Sequence, residues 1–408
     1  MSIAMKKEAS KAVYCIATLD TKGPDAQFVA NLLKSWGHRV VLVDVGTQHA
    51  PTVKPDHPRD ALADSDLFAS LSRAEAIEIM SAGLTKYLVQ EEKAGRVAAV
   101  LGMGGSGGTA LICPAFRELP IGLPKIMIST VASGDTRPHV GTSDIFMVFP
   151  VVDVAGLNRV SRVVYSEAAG ALAGMVEHPV SPEVQPEKAV GITMFGVTTT
   201  CVTQIRHLLE KLGWECFIFH ATGTGGRAME SLVTSGLLDG VIDLTTTEVA
   251  DEIAGGIFPA GPERMDAILK AGIPYIVSAG AMDMVNFGAL ESVPAQYQQR
   301  KLHKHNQQIT LMRTTPEENH LAGKWIANKL AKSEGPWRVI LPMGGVSALD
   351  APGMPFEDPK SNDAFFDSLE KGLESHPNRV IRDPRHINDS GFAQAVVSLF
   401  LKMYEQRK

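Results

Sequence analysis

Cysteine is scarce: Cys15, Cys113, Cys201 and Cys216 are the only four in 408 residues, and no two form a C-x-x-C pair. That scatter excludes a disulfide framework and a zinc ribbon, and it reads as small buried hydrophobes in a reducing compartment. No uninterrupted apolar run reaches the roughly 18 residues that a membrane-crossing helix needs. The opening stretch MSIAMKKEASKAVYCIATLD turns polar after Ala17 and lacks the apolar centre of a secretory signal. A cytoplasmic protein with no membrane partner is expected. A basic excess is missing too: 39 Lys and Arg stand against 45 Asp and Glu, a formal net charge of −6. This excludes a general nucleic-acid-binding surface and leaves room for a local basic pocket that takes a small anion. Neither a Ser-His-Asp set nor H-E-x-x-H is present.

What is there is an ordinary globular composition, 45% hydrophobic and 21% charged, at a length that favours two α/β domains. The chain also repeats itself. KAVYCIATLDTKGPDAQFVANLLKSWGHRVVLVDVGT starts at Lys11 and KAVGITMFGVTTTCVTQIRHLLEKLGWECFIFHATGT at Lys188. Each reads strand, polar turn, amphipathic helix, glycine, strand, then Gly-Thr. Phe28, Val29, Leu32 and Leu33 share one helical face in the first; Ile205, Leu208, Leu209 and Leu212 do so in the second. Strands alternating with helices at this spacing imply parallel sheets covered on both faces. The expected fold is therefore α/β, two Rossmann-like domains with parallel sheets flanked by helices, related by an apparent internal duplication. Residues 1–180 form the first domain and 188–408 the second. The proline- and charge-rich stretch 177–188 links them. The tail NDSGFAQAVVSLFLKMYEQ is a capped amphipathic helix whose domain the sequence leaves open.

The stretch GMGGSGGT (102–109) follows the apolar run RVAAVL and satisfies G-x-G-x-x-G at Gly102, Gly104 and Gly107. Such glycines let a phosphate approach the main chain, with the next helix aimed at it. Thr109 is a candidate cap, and Pro114 should shorten the helix. A dinucleotide reading is weakened because no acidic residue ends the following strand. A plain turn is the alternative.

In an open parallel sheet, ligands bind where the carboxyl ends of the strands gather. Those loops here are nearly all rich in glycine and hydroxyls, a chemistry suited to phosphate or carboxylate oxygens. In TLDTKGPD, Lys22 offers a point charge, and Asp20 or Asp25 offers oxygen to Mg²⁺; Asp20 capping the helix that opens at Gly23-Pro24 is the bland account. In STVASGDTRP, Asp135 and Arg137 read as a base or metal ligand and an anion clamp, or as a local pair. Arg227 and Glu230 follow the glycines of TGTGGRAME, an anion cradle or a surface helix start. In TTTEVADE, Glu248, Asp251 and Glu252 read as acid, base or cation ligands, or as carboxylates favoured by a helix N-terminus. MRTTPEEN carries the Thr315-Pro316-Glu317-Glu318 start of a capped helix.

Taken together, TLDTKGPD, GMGGSGGT, STVASGD, HATGTGGRAME, GGIFPAGPERMDA and MRTTPEEN resemble the widespread bacterial family that shares the ATP-binding N-terminal domain of the tomato mosaic virus resistance protein. The resemblance runs over residues 10 to 402. It implies two Rossmann-like domains, ATP with Mg²⁺ as ligand, and a homodimer. Carried over onto the matching loops, it assigns nucleotide binding to Asp20, Thr21, Lys22, Gly102, Gly104, Gly105, Ser106, Gly107, Gly108 and Thr109. Ser129, Ser133 and Gly134 follow, with Thr222, Gly223, Thr224, Gly225, Gly226 and Arg227. Asp20 and Asp135 are the metal candidates, and Asp135, Arg137 and Glu248 the catalytic ones.

The expected function is a Mg²⁺-dependent, nucleotide-using enzyme, of phosphoryl-transfer or ligase-like chemistry, acting on a small anionic metabolite bound between the domains. The alternative is a non-catalytic ATP-binding regulatory or protein-interaction module.

Overall fold

Every residue of Ala12–Ala17 is buried, the mark of a strand covered on both faces. In the computed structural model, which describes residues 11–64, 68, 70–179 and 188–407, this strand, β1, sits inside a parallel sheet. The chain continues through α1 (Leu19–Ser35), β2 (Val40–Asp44), α2 (Arg73–Lys93), β3 (Val97–Gly104), α3 (Ser106–Arg117), β4 (Lys125–Ser129), α4 (Arg137–Val140), β5 (Phe146–Val148) and α5 (Arg159–Glu177). The strand order is β2-β1-β3-β4-β5, every pair parallel. One face buries Val29, Leu33, Leu101, Ile128, Tyr165 and Leu172; the other buries Ile16, Met80, Leu84, Leu111, Ile112 and Phe116.

The chain divides into two compact units, Met1–Pro182 and Glu183–Lys408. The second unit runs β6 (Ala189–Met194), α6 (Thr199–Glu210), β7 (Glu215–His220), α7 (Thr224–Thr234), β8 (Gly240–Thr245), α8 (Thr247–Ala254), α9 (Asp266–Ala271) and β9 (Tyr275–Gly280). An excursion follows, of β10 (Met284–Phe287), β11 (Leu302–Lys304) and β12 (Thr310–Arg313). Then come α10 (Pro316–Leu330), β13 (Trp337–Pro342), α11 (Pro359–Gly372), β14 (Val380–Asp383) and α12 (Ser390–Glu405). The main sheet is parallel, in the order β14-β13-β9-β8-β6-β7, and β10-β12-β11 form a separate antiparallel sheet. Counted along each unit's own parallel strands, both sheets read second, first, third, fourth, fifth, with a sixth added in the second unit. The α/β architecture of two units with helix-flanked parallel sheets is the one the repeated stretches predict. Both sheets reverse direction of winding between their first and third strands, β1 and β3 in one, β6 and β8 in the other.

Local details differ from the sequence reading. Leu212 lies beyond the end of α6 at Glu210 and is exposed, so it does not share that helix's buried face, and Thr109 lies inside α3, whose N-cap is Gly105. Helix α1 begins at Leu19, ahead of Gly23 and Pro24, because the buried Asp44 carboxylate accepts the Leu19 N–H at 3.1 Å and fixes the start. Helix α3 runs through Pro114 to Arg117; burial of Leu111, Ile112, Cys113, Ala115 and Phe116 outweighs the roughly 3 kcal/mol penalty of an interior proline. Elsewhere the capping signals hold: Thr315 and Glu318 form the reciprocal box at the start of α10, with Pro316 in its first turn. Helix α12 belongs to the second unit, where Phe392, Val396 and Phe400 pack with Val190, Ile192 and Ile205.

Candidate functional site

A cavity of about 380 Å³ opens at the carboxyl end of the first unit's sheet, at the reversal between β1 and β3. Thr18, Asp20, Thr21 and Lys22 line it from the start of α1, and Gly105 to Gly108 from the start of α3. Thr47 and Gln48 enter from the loop after β2, Thr130 from the loop after β4, Asp153 from the loop after β5, and Arg73 and Ile77 from α2. Sequence reasoning found the α1 and α3 contributions. It also reached Thr130 through the loop STVASGDTRP and Thr47 and Gln48 through the loop after β2, but missed Arg73 and Asp153, which lie in no recognisable motif.

The glycines of GMGGSGGT do different jobs. None has a positive φ, so left-handed backbone is not their reason. A Cβ on Gly102 would press into Met127 Sδ at 2.5 Å and Ile112 Cγ2 at 2.9 Å, and one on Gly104 into Gly108 Cα at 3.0 Å. Those two serve close packing of α3 on the sheet. Gly105 is different: its φ of −83° and ψ of −161° suit any residue, and its Cβ would find only Thr130 Oγ1, at 3.7 Å. Its missing side chain leaves space in the cavity.

Gly105 also stands as N-cap of α3 without any side-chain cap, so the first amides of that helix keep their positive end. Helix α2 next to it is closed by a Ser72–Glu75 capping box. Thr109 and Ser129 sit behind the loop. The Thr109 hydroxyl donates to Gly105 O at 2.8 Å and meets Ser129 Oγ at 2.5 Å, both buried; since its one proton serves Gly105, Ser129 donates to it.

Two cations reach this helix start. Lys22 and Arg73 both line the cavity, and among the described residues neither side chain has a hydrogen-bond or ion-pair partner. Arg73 Nη2 lies 3.3 Å from where a Cβ of Gly107 would stand. A guanidinium set over the positive end of a helix is a repulsive arrangement unless an anion comes between them. Asp20 holds the loop after β2 weakly, accepting the Gln48 and His49 N–H groups at 3.3 Å each. Beneath it Asp44 accepts the Gly46 N–H at 2.8 Å while its Oδ2 is sealed without a partner, and burial pushes this carboxyl up from its usual range. Asp25 is turned away: it accepts the Tyr165 hydroxyl at 3.2 Å and the Gly156 N–H at 3.1 Å.

Other sequence candidates lie outside the cavity lining. Asp135 and Arg137 pair with each other through two hydrogen bonds of 2.8 and 2.9 Å, both side chains largely exposed. That bonding holds the Asp135 carboxyl below its ordinary value. Ser133 and Gly134 are exposed on the same loop.

In the second unit the glycine loop before α7 does cradle an anion, and the anion is Glu248. Its Oε1 accepts the N–H groups of Gly223 at 2.7 Å and Gly226 at 3.2 Å, and its Oε2 accepts Arg264 Nε at 3.1 Å. Arg264 also binds Glu230 at 3.1 Å and Asp243 at 2.8 Å, while Asp243 accepts the hydroxyls of Thr193 and Tyr275, each at 2.8 Å. Burial opposes charge on Arg264, but the surrounding carboxylates hold it well above its ordinary value. A Cβ on Gly223, Gly225 or Gly226 would strike the protein itself. Arg227 turns back on Gly223 O at 2.9 Å, and Thr222 on His220 O at 3.3 Å; Thr224 starts the helix. So the catalytic candidate Glu248 belongs to a buried ion network with Arg264, Glu230 and Asp243, and of Thr222 to Arg227 only the Gly223 and Gly226 amides join it, Thr224 and Arg227 being exposed. The reversal point itself is bridged by Thr198 Oγ1 and Thr245 Oγ1 at 2.8 Å.

Fold and cavity thus define a doubly wound α/β protein with an open pocket at a strand-order reversal, lined by cations and bare amides. The chain belongs to the Uncharacterised protein family UPF0261: the model of the family's N-terminal domain matches residues 11–181, and that of its C-terminal domain residues 187–404. A UPF0261 protein of Rhizobium meliloti is 47% identical over 399 residues, covering 96% of this chain and 98% of its own. The ToMV resistance protein Tm-1(GCR237) of Solanum lycopersicum is 44% identical over 432 residues, covering 98% of this chain and 57% of its own. Among solved structures, a UDP-GlcNAc 2-epimerase of Methanocaldococcus jannaschii is 8% identical and spans 96% of this chain and 92% of its own, with a TM-score of 0.21, too low to carry any argument. No helix among the described residues is long and apolar enough to cross a membrane.

Proposed function

We propose that the first unit binds ATP at this cavity, its phosphates on the amides of Ser106, Gly107 and Gly108 and between Lys22 and Arg73. The observation that carries the reading is the convergence of two partnerless cations on an uncapped helix start. ATP is the nucleotide that the resemblance implies; the pocket chemistry by itself asks for a phosphate-bearing anion. Mg²⁺ suits the lining too. Asp20 and Asp153 bring hard oxygen donors, and no cluster of three or more ligating side chains occurs among the described residues. Mg²⁺ is typically held this way, by one or two carboxylates with water and substrate phosphates supplying the rest. Asp20 and Asp153 would hold the ion, which would neutralise phosphate charge. Lys22 and Arg73 would stabilise charge on a phosphoryl group passing to a small anionic acceptor.

A second reading, an ATP-binding regulatory module without chemistry, has its own support: among the described residues the cavity lining holds no histidine, cysteine, tyrosine or glutamate to serve as a base. Calorimetric titration with ATP, with and without Mg²⁺, followed by an assay for ADP release in the same sample, separates the two. Lys22→Ala and Arg73→Ala should each weaken binding at least about tenfold with the fold intact. Unchanged affinity in both variants, or no binding by the native chain, overturns the assignment.

A further inference from the structure

The small antiparallel sheet leaves the second unit at one mouth. Asp283 stands just before β10 and Arg313 closes β12, paired in register with Met284. The mouth is fastened by Thr314, whose N–H donates to Asp283 O at 3.1 Å and whose hydroxyl donates to Met282 O at 2.9 Å. Arg313 donates to Phe356 O and to Asn362 Oδ1, both at 2.8 Å.

Two carboxyls lie near this one guanidinium, Asp350 in an ion pair with it and Asp283 without one. Asp350 is well served, by the Val346 N–H at 2.9 Å, Asn362 Nδ2 at 2.7 Å and Arg313 at 3.5 Å. Asp283, fully buried, accepts only the Ser347 hydroxyl, at 2.7 Å on Oδ2, and its Oδ1 is sealed from solvent with no partner. The other titratable groups on neighbouring elements look elsewhere. The Asp358 carboxylate accepts from Ser361 at the start of α11, and His386 Nε2 lies 2.9 Å from Ser347 O. A buried carboxylate with an idle oxygen is costly, whereas the neutral acid is much less so. Since Asp350 has the better donors, the proton of the pair belongs on Asp283.

We propose that Asp283 is a proton-operated latch: neutral, it lets the small sheet seat on the second unit, and its ionisation loosens that sheet. Burial pushes the Asp283 carboxyl up to about 7, with Arg313 opposing and Asp350 reinforcing the rise. A second carboxyl under the same sheet behaves alike. Asp251 accepts the Asn286 N–H of β10 at 2.7 Å and the Phe258 N–H at 2.9 Å, and burial raises it to about 7, with Glu248 adding to the rise. The sign follows from the folded values lying above the unfolded ones. Stability of the seated sheet is full below the ordinary carboxylate range and is lost as pH rises through the folded value of about 7.

Hydrogen exchange of the backbone amides of β10 and β12, corrected for intrinsic rates and compared with those of β8, reads the latch. Between about pH 5 and about pH 8, opening of the small sheet should rise about tenfold while β8 holds. Asp283→Asn, which cannot ionise, should remove about half of that rise on a logarithmic scale, the remainder being the part due to Asp251. Native opening that is flat with pH, or an Asp283→Asn variant that opens equally more at both pH values, overturns the proposal. If the variant does not fold, the carbonyl infrared band of a buried protonated acid in an Asp251→Asn chain, present in acid and gone in alkali, decides the same question; its absence in acid also overturns the proposal.

Discussion

Glu248 Oε1 lies 2.7 Å from the Gly223 amide nitrogen, so the protein's own carboxylate fills the loop that reads most like an anion cradle. The chemistry of TGTGGRAME was legible, but its partner was not. Bare amides at a helix start attract any anion that can reach them, and only the folded chain brings residue 248 back to residue 223.

Removing that carboxylate leaves buried Arg264 with two of its three acidic partners and strips the Gly223 and Gly226 amides of their acceptor. Glu248→Ala should therefore cost the second unit about 3 kcal/mol or more, and Glu248→Gln less. Trp214, Trp325 and Trp337 all lie in the second unit, so denaturation followed by their fluorescence reports this unit chiefly. Nucleotide affinity of the first unit should not change; an unaltered unfolding midpoint in Glu248→Ala would remove the network from the account of stability.

Gly105 and Gly102 should respond oppositely to a larger side chain. Gly105→Val finds open cavity and ordinary backbone, so it should fold with stability within about 0.5–1 kcal/mol of native and abolish ATP binding. Gly102→Val drives into Met127 and Ile112 and should cost about 1–3 kcal/mol or more through overpacking. Paired thermal melts and ATP titrations check both, and normal ATP binding by Gly105→Val would return the loop to a plain turn.

Asp25 serves as a brace. Asp25→Ala strands the Tyr165 hydroxyl and the Gly156 N–H, both held by that carboxylate, and should destabilise the first unit by about 1–3 kcal/mol. The Asp25→Asn variant, which keeps an acceptor, should recover part of the loss. A metal-ligand role would instead leave stability intact and abolish only the Mg²⁺ dependence of ATP binding.

Much of this protein follows from its sequence alone. The apolar strands, the helical faces ended by Gly37 and Gly213, and the repeated strand–helix–strand stretches dictate a two-unit α/β chain, because periodicity and burial are local properties that short segments reveal. The Thr315–Glu318 box was legible for the same reason. Tertiary structure alone decided which polar loops stay open. In the first unit, the reversal between β1 and β3 brings Lys22, Gly105 and Arg73 together, and none of the described residues fills the space they surround. In the second unit, Thr198 meets Thr245 across the equivalent reversal, and Glu248 and Arg264 fill the glycine loop. Loops with nearly the same composition thus end as a pocket in one unit and a buried ion network in the other. The difference lies in long-range partners, far apart in the chain, that no local pattern encodes.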